Sequence, residues 1–187
     1  MRIKFETARD VLTAFPTLKE DITVAPDGTA PITFLKQLAQ SETPEDCISF
    51  FAYLAPRRDS VWWCCRSLDT LGPGGLEAPE ARAAAKAWVA EPEEARRHAA
   101  LSAAEAGPSD AADTWAAFGA AWSGGSIGGE GEHAILAAPH LTAKAVRASL
   151  LVAVSSAPFA ARRARLERCL DEALMVANDD IEAHFGA

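Results

Sequence analysis

The feature that most restricts this chain is the alanine content of its second half. Stretches such as Ala81-Arg82-Ala83-Ala84-Ala85-Lys86-Ala87 recur through residues 77–186. Alanine is the strongest helix former and a poor strand former. There is only one tyrosine, and runs of valine or isoleucine are few, so little in the sequence asks for a sheet. The sequence therefore predicts an all-α fold.

Prolines and glycines cut that helical material into pieces. Thr7 reads as a helix cap for residues 8–15, and Phe15-Pro16 stops that helix, because a residue before proline is pushed out of the helical region. Residues 1–5 read as a short extended arm and 22–30 as a loop around Pro26-Asp27-Gly28. Residues 31–40 place Ile32, Leu35 and Leu38 on one face. Thr43-Pro44-Glu45-Asp46 combines a capping residue, a proline at the first helical position and acids at the positive end of the dipole. That pattern predicts a helix from Thr43 to about Leu54. Ala55-Pro56 breaks it, and a helix over 57–71 follows. Its apolar residues, Val61, Trp62, Trp63, Cys65 and Leu68, spread around much of the circumference, which predicts a central position.

Gly72-Pro73-Gly74-Gly75 is the clearest break, a candidate subdomain boundary near 72–76 in a chain otherwise read as one domain over 1–187. Beyond it, helices are predicted over 79–90, 92–106, 110–122 and 142–155, with a last one starting at Pro158. Trp115, Phe118 and Trp122 lie at helical spacing and read as a buried aromatic stripe. The total is about nine helices with short links, a multi-helical bundle or stacked helical hairpins.

Composition narrows the function classes. Hydrophobic residues make up 49% and charged residues 24%, as in ordinary globular domains. The net charge of −8 argues against nucleic-acid binding. Apolar runs such as Leu150–Val154 fall far short of the roughly 20 residues that span a bilayer. The N-terminus has no secretion-type apolar segment, so a cytoplasmic chain is expected. Cys47, Cys64, Cys65 and Cys169 match no metal-binding spacing and read as reduced core thiols.

Five groups of residues are candidates for chemistry or recognition. The glycines at 124, 125, 128, 129 and 131 suggest a phosphate loop, but no Gly-Lys-Ser/Thr follows and no strand precedes. Glu130, Glu132, His133 and His140 are metal-ligating types without a ligand spacing, so no metal or other cofactor is inferred. A cysteine–histidine catalytic pair would need a thiol off the apolar faces, and no catalytic residue is assigned. Arg162, Arg163, Arg165 and Arg168 form a basic cluster able to meet an acidic partner, or a solvated face balanced by neighbouring acids. Of Trp62 and Trp63, adjacent on one helix, only one is able to face the core squarely, which places the other near the surface as a partner contact.

Several segments, taken in order, match a known pattern. They are Ala14-Phe15-Pro16-Thr17-Leu18, Thr43-Pro44-Glu45-Asp46, Tyr53-Leu54-Ala55-Pro56-Arg57-Arg58 and Val61-Trp62-Trp63-Cys64-Cys65-Arg66. Ala87-Trp88-Val89 with Glu91-Pro92-Glu93-Glu94, Trp122-Ser123-Gly124-Gly125-Ser126 and Pro139-His140-Leu141-Thr142 complete it. Together they resemble an uncharacterised bacterial family often encoded beside type VI secretion genes in proteobacteria, over roughly residues 5–175. The resemblance implies a cytoplasmic accessory or adaptor role and brings no catalytic motif. Residues 127–138 depart from it, being rich in glycine where the family is richer in proline.

The leading expectation is thus a non-enzymatic protein-interaction module, its partner a secretion component or an effector. Contact residues are expected among Trp62, Trp63, Ser123, Gly124, Gly125, His140, Arg162, Arg165 and Arg168. Trp-Ser-Gly-Gly-Ser and Pro-His-Leu-Thr are expected to bracket a structured loop packed on Trp62 or Trp63. The alternatives are a small-molecule or metal-binding domain using the glycine-rich loop 123–140, and an enzyme of unknown class.

Overall fold

A computed structural model describes residues 1–72, 74–128 and 134–185. Among these residues the fold is all-α, with ten α-helices and one two-stranded antiparallel sheet. The helices are α1 (Ala8–Ala14), α2 (Pro31–Leu38), α3 (Asp46–Leu54), α4 (Arg57–Leu71) and α5 (Pro79–Ala90). They continue as α6 (Glu94–Ala106), α7 (Ala112–Ala121), α8 (Leu141–Ser155), α9 (Phe159–Asn178) and α10 (Ile181–Phe185). A short 3-10 turn, Pro16–Glu20, follows α1. The strands are β1 (Ser126–Gly128) and β2 (Ile135–Leu136).

Local chemistry explains most boundaries. Thr7 and Asp10 form a reciprocal capping box at the start of α1, each side chain bonding the other's backbone N–H. α4 ends at Gly72, whose φ of 69° is open to glycine and costly for other residues. The start of α3 is displaced from the expected Thr43. The Thr43 hydroxyl donates to Asp46 at 3.0 Å, and that carboxylate also accepts the Thr23 and Val24 N–H groups at 2.7 and 3.1 Å. Thr43 is thereby spent tethering the 22–30 loop, and its neighbours make a tight turn with Asp46 N–H bonded to Thr43 O.

α4 lies at the centre, as its broad apolar surface predicts, and packs against α3, α5, α7, α8 and α9. Trp63 fills the core, 1% exposed, with its ring edge-on to Phe51 and its indole N–H donating to Cys169 O at 2.9 Å. The main core draws residues from both sides of the 72–76 break.

The closest helix pairing, α7 against α8, is made of small residues. Ala112, Ala116, Gly119 and Ala120 face inward. A Cβ built on Gly119 would meet Val146 at 3.1 Å and Val61 at 3.4 Å. This overturns the expected inward aromatic stripe. Trp115, Phe118 and Trp122 sit half-buried on the outer side of α7, stacked on one another, with Phe118 and Trp122 centroids 4.7 Å apart. A face of alanine and glycine permits an approach that three large rings on that side would block.

Candidate functional site

The most developed concave surface lies between α8 and α9, closed on one side by the turn before α3. α8 ends at Ser155 and the chain reverses through Pro158, whose extended backbone (φ −52°, ψ 145°) sets the start of α9. An open groove of about 720 Å³ lies between residues of the two helices. Leu151, Val152 and Val154 of α8 and Leu166 of α9 form its apolar floor. Phe159, the first residue of α9, stands at its lip with 85% of its surface exposed. Glu42 and Glu45 form the opposite wall, and neither carboxylate has an ion-pair partner among the described residues.

The arginine cluster borders this groove but is mostly committed to the fold. Arg165 donates through Nη1 to Ala153 O at 2.7 Å and Ser156 Oγ at 3.1 Å, and through Nη2 to Leu71 O at 2.9 Å. One guanidinium thus occupies carbonyls at the C-terminal ends of both α8 and α4, where backbone acceptors lack helical partners and the dipole favours a cation. Arg162 donates to Ser155 O at 3.2 Å and Ala157 O at 3.3 Å, and lies over the Phe159 ring. Arg163 pairs with Glu167 at 3.2 Å. Arg168 is exposed and makes no hydrogen bond or ion pair with a described residue. Within the cluster Arg165 is a clamp, Arg162 bonds the turn between α8 and α9, Arg163 also reaches Ala39 O at 3.5 Å, and Arg168 makes no such contact with a described residue.

The tryptophan expectation also needs correcting, because neither indole is near the surface. Trp62 is 6% exposed because α10 lies over it, with the His184 and Phe185 rings 4.9 and 6.0 Å away. Its other close partner is Arg66, whose guanidinium sits 5.6 Å from the ring centroid.

Ser123, Gly124 and Gly125 belong to a turn held by two arginines. Arg57 donates to Ser123 O at 2.6 Å and the buried Arg97 donates to Ala121 O at 2.8 Å. Gly125 has φ of 61°, and a Cβ there would lie 2.8 Å from the Arg97 guanidinium. The glycine leaves room for an arginine rather than a phosphate. The segment that follows was read as irregular and contains β1 and β2 instead, with Ser126 opposite Leu136. His140 precedes α8 and makes no side-chain cap.

Metal and thiol chemistry find little support. Among the described residues no three His, Cys, Asp or Glu side chains converge as a metal requires. Glu130, Glu132 and His133 lie outside the described residues. All four cysteines are buried; burial pushes Cys47, Cys65 and Cys169 up to about 12, and Cys64 upward as well. A thiol that stays protonated is a poor nucleophile. Among the described residues no helix is long and apolar enough to cross a membrane.

Sequence reasoning missed Phe159 and the groove. A lone aromatic at a helix start carries no periodic signal, and its only cue was its position directly after Pro158.

Residues 34–177 match the model of a family of unknown function, DUF6931. The match spans well over half the chain, and the protein belongs to that family. No curated protein and no solved structure matches it. Every residue lining the groove falls inside the matched segment.

Proposed function

We propose that this DUF6931 protein is a non-enzymatic accessory module that binds a protein partner through the α8–α9 groove. The single observation that carries the reading is Phe159, 85% exposed beside an apolar floor of four aliphatic side chains. A large ring left in water next to such a floor is the usual mark of a recognition surface. The occupant that fits is an amphipathic helix laid apolar face down. Glu42 and Glu45, which line the groove together with Arg162 and Arg163 and have no ion-pair partner among the described residues, ask for lysine or arginine along one edge of that helix. The resemblance to a family encoded near type VI secretion genes suggests a setting, a cytoplasmic adaptor serving a secretion component or effector.

The test uses the tagged full chain as bait in cell lysate, in four forms: wild type, Phe159→Glu, Glu42→Lys and Met175→Glu. Met175 is an exposed apolar residue elsewhere on α9 and serves as the control. The reading requires a defined protein retained by wild type and Met175→Glu, lost with Phe159→Glu and weakened with Glu42→Lys. Recovery of the bait alone, or a binder indifferent to Phe159→Glu, counts against it.

A further inference from the structure

The C-terminal helix α10 covers a surface that has the makings of a second recognition site. Trp62 and Val89 provide an apolar shelf on α4 and α5, with a cavity of about 210 Å³ beneath Phe185. Charges of both signs surround it: Asp69 lines the cavity, Arg66 pairs with Glu172 at 2.7 Å, and Arg58 is the cation whose ion pair is with α10. Arg58 reaches Glu182 of α10 at 2.6 Å and lies 5.9 Å from the Phe185 ring centroid. Arg66 stacks on Trp62, and Lys86 lines the cavity while pairing with Asp69 at 2.7 Å. The segment laid on this shelf presents Glu182 to Arg58, while Asp179 pairs with His184 and Asp180 accepts the Glu182 N–H; Ile181, His184 and Phe185 supply apolar and ring surface.

The cover is weakly built. α10 has five residues, far below the length at which a helix sustains itself. Its link to Arg58 runs through a largely exposed carboxylate, and Phe185 remains 37% exposed. A short segment held by partly exposed contacts opens at low cost. The shelf residues Trp62, Arg66 and Val89 fall within residues 34–177, which match the family model, whereas α10 lies beyond them.

We propose that the Trp62 shelf is a docking site for an acidic peptide segment carrying an aromatic residue, supplied by a protein partner, and that α10 occupies it as an internal competitor. It shares no lining residue with the α8–α9 groove, so either surface is able to fail alone. With the shelf free in one molecule in ten, for example, a competing peptide binds about tenfold more weakly than its contacts allow.

The probe is a fluorescent peptide of residues 178–187, titrated against the full chain by anisotropy. A double variant, Glu182→Ala with Phe185→Ala, loosens the cover at two partly exposed positions. The expected result is binding about tenfold tighter to the double variant than to wild type. Binding is lost when the peptide itself carries Glu182→Lys and Phe185→Ala, and is unchanged by Phe159→Glu in the protein. Equal binding to wild type and variant, no binding to the folded variant, or equal binding of a scrambled peptide overturns the proposal. Should the variant fail to fold, hydrogen exchange on wild type decides. Residues 181–185 are expected to exchange at least about tenfold faster than 166–176, and equal protection of the two segments overturns a displaceable cover.

Discussion

Replacing Arg165 with alanine tests whether an arginine from a presumed surface cluster is in fact a structural clamp. The substitution removes three hydrogen bonds, to Ala153 O, Ser156 Oγ and Leu71 O, and leaves carbonyls at two helix ends without their donor. Loss of a charged hydrogen bond costs about 1.5–3 kcal/mol when the remaining partner is buried. Here the site is half-buried, and water reaches part of what is left, so the three bonds together are worth about 2–3 kcal/mol. For a chain of this length that lowers Tm by roughly 4–12 °C. Gly74 gives independent support, since a Cβ there would lie 3.0 Å from Arg165 Nη1, so the chain is shaped around the guanidinium. The assay is thermal and urea unfolding of Arg165→Ala, Arg165→Lys and Arg168→Ala side by side. Lysine, a single point donor, does not span both carbonyls and restores only part of the loss. Arg168→Ala stays within about 0.5 kcal/mol of wild type. If Arg165→Ala and Arg168→Ala unfold together within that margin, the clamp reasoning is wrong.

Three further outcomes follow from the packing and the charges. Gly119→Val overfills the α7–α8 contact, 3.1 Å from Val146, and is expected to cost about 1–3 kcal/mol by urea unfolding, with the outer-face change Trp115→Phe as a milder comparison. Glu94 is pushed down to about 2, chiefly by the hydrogen bond from Arg97. Because its folded value is depressed, its contribution is complete above its ordinary value near 4.5 and is lost as pH falls toward 2. A carboxyl titration followed by NMR should place it there, and Glu94→Gln should flatten the acid side of the stability curve. The four buried thiols are expected to stay unreactive toward a disulfide reagent in the native state and to react together on unfolding; rapid labelling of one native cysteine would contradict their burial.

The legible parts of the fold are those set by local chemistry. α4 and α5 begin and end where Pro56, Gly72 and Pro79 dictate, because backbone restrictions act without reference to the rest of the chain. Features chosen by tertiary contacts were not legible. Helical spacing grouped Trp115, Phe118 and Trp122 correctly, but spacing does not say which face turns inward, and the small residues of α7 took that role. Thr43 carries the residue type of a cap, yet Asp46 and the distant 22–30 loop claim its hydroxyl. The arginines after Pro158 were visible as charges, whereas their targets, carbonyls of α4 and α8, exist only once the helices are assembled. Adjacent tryptophans suggested that one of Trp62 and Trp63 faces outward, but Trp62 is covered by α10, a contact across more than a hundred residues of chain.

The alanine and glycine contact between α7 and α8 also bears on how the groove wall is held. Alanine and glycine side chains have no rotamers to freeze, whereas each buried leucine gives up roughly 0.5–1 kcal/mol of side-chain entropy on ordering. α7 therefore brings almost no side-chain entropic cost to the contact, and the rotamers that are ordered there, such as that of Val146, come from α8. α8 carries Leu151, Val152 and Val154 into the groove on a backbone seated directly against its neighbour. A partner of the kind proposed would meet that wall already set and would have to order only itself and the Phe159 lip.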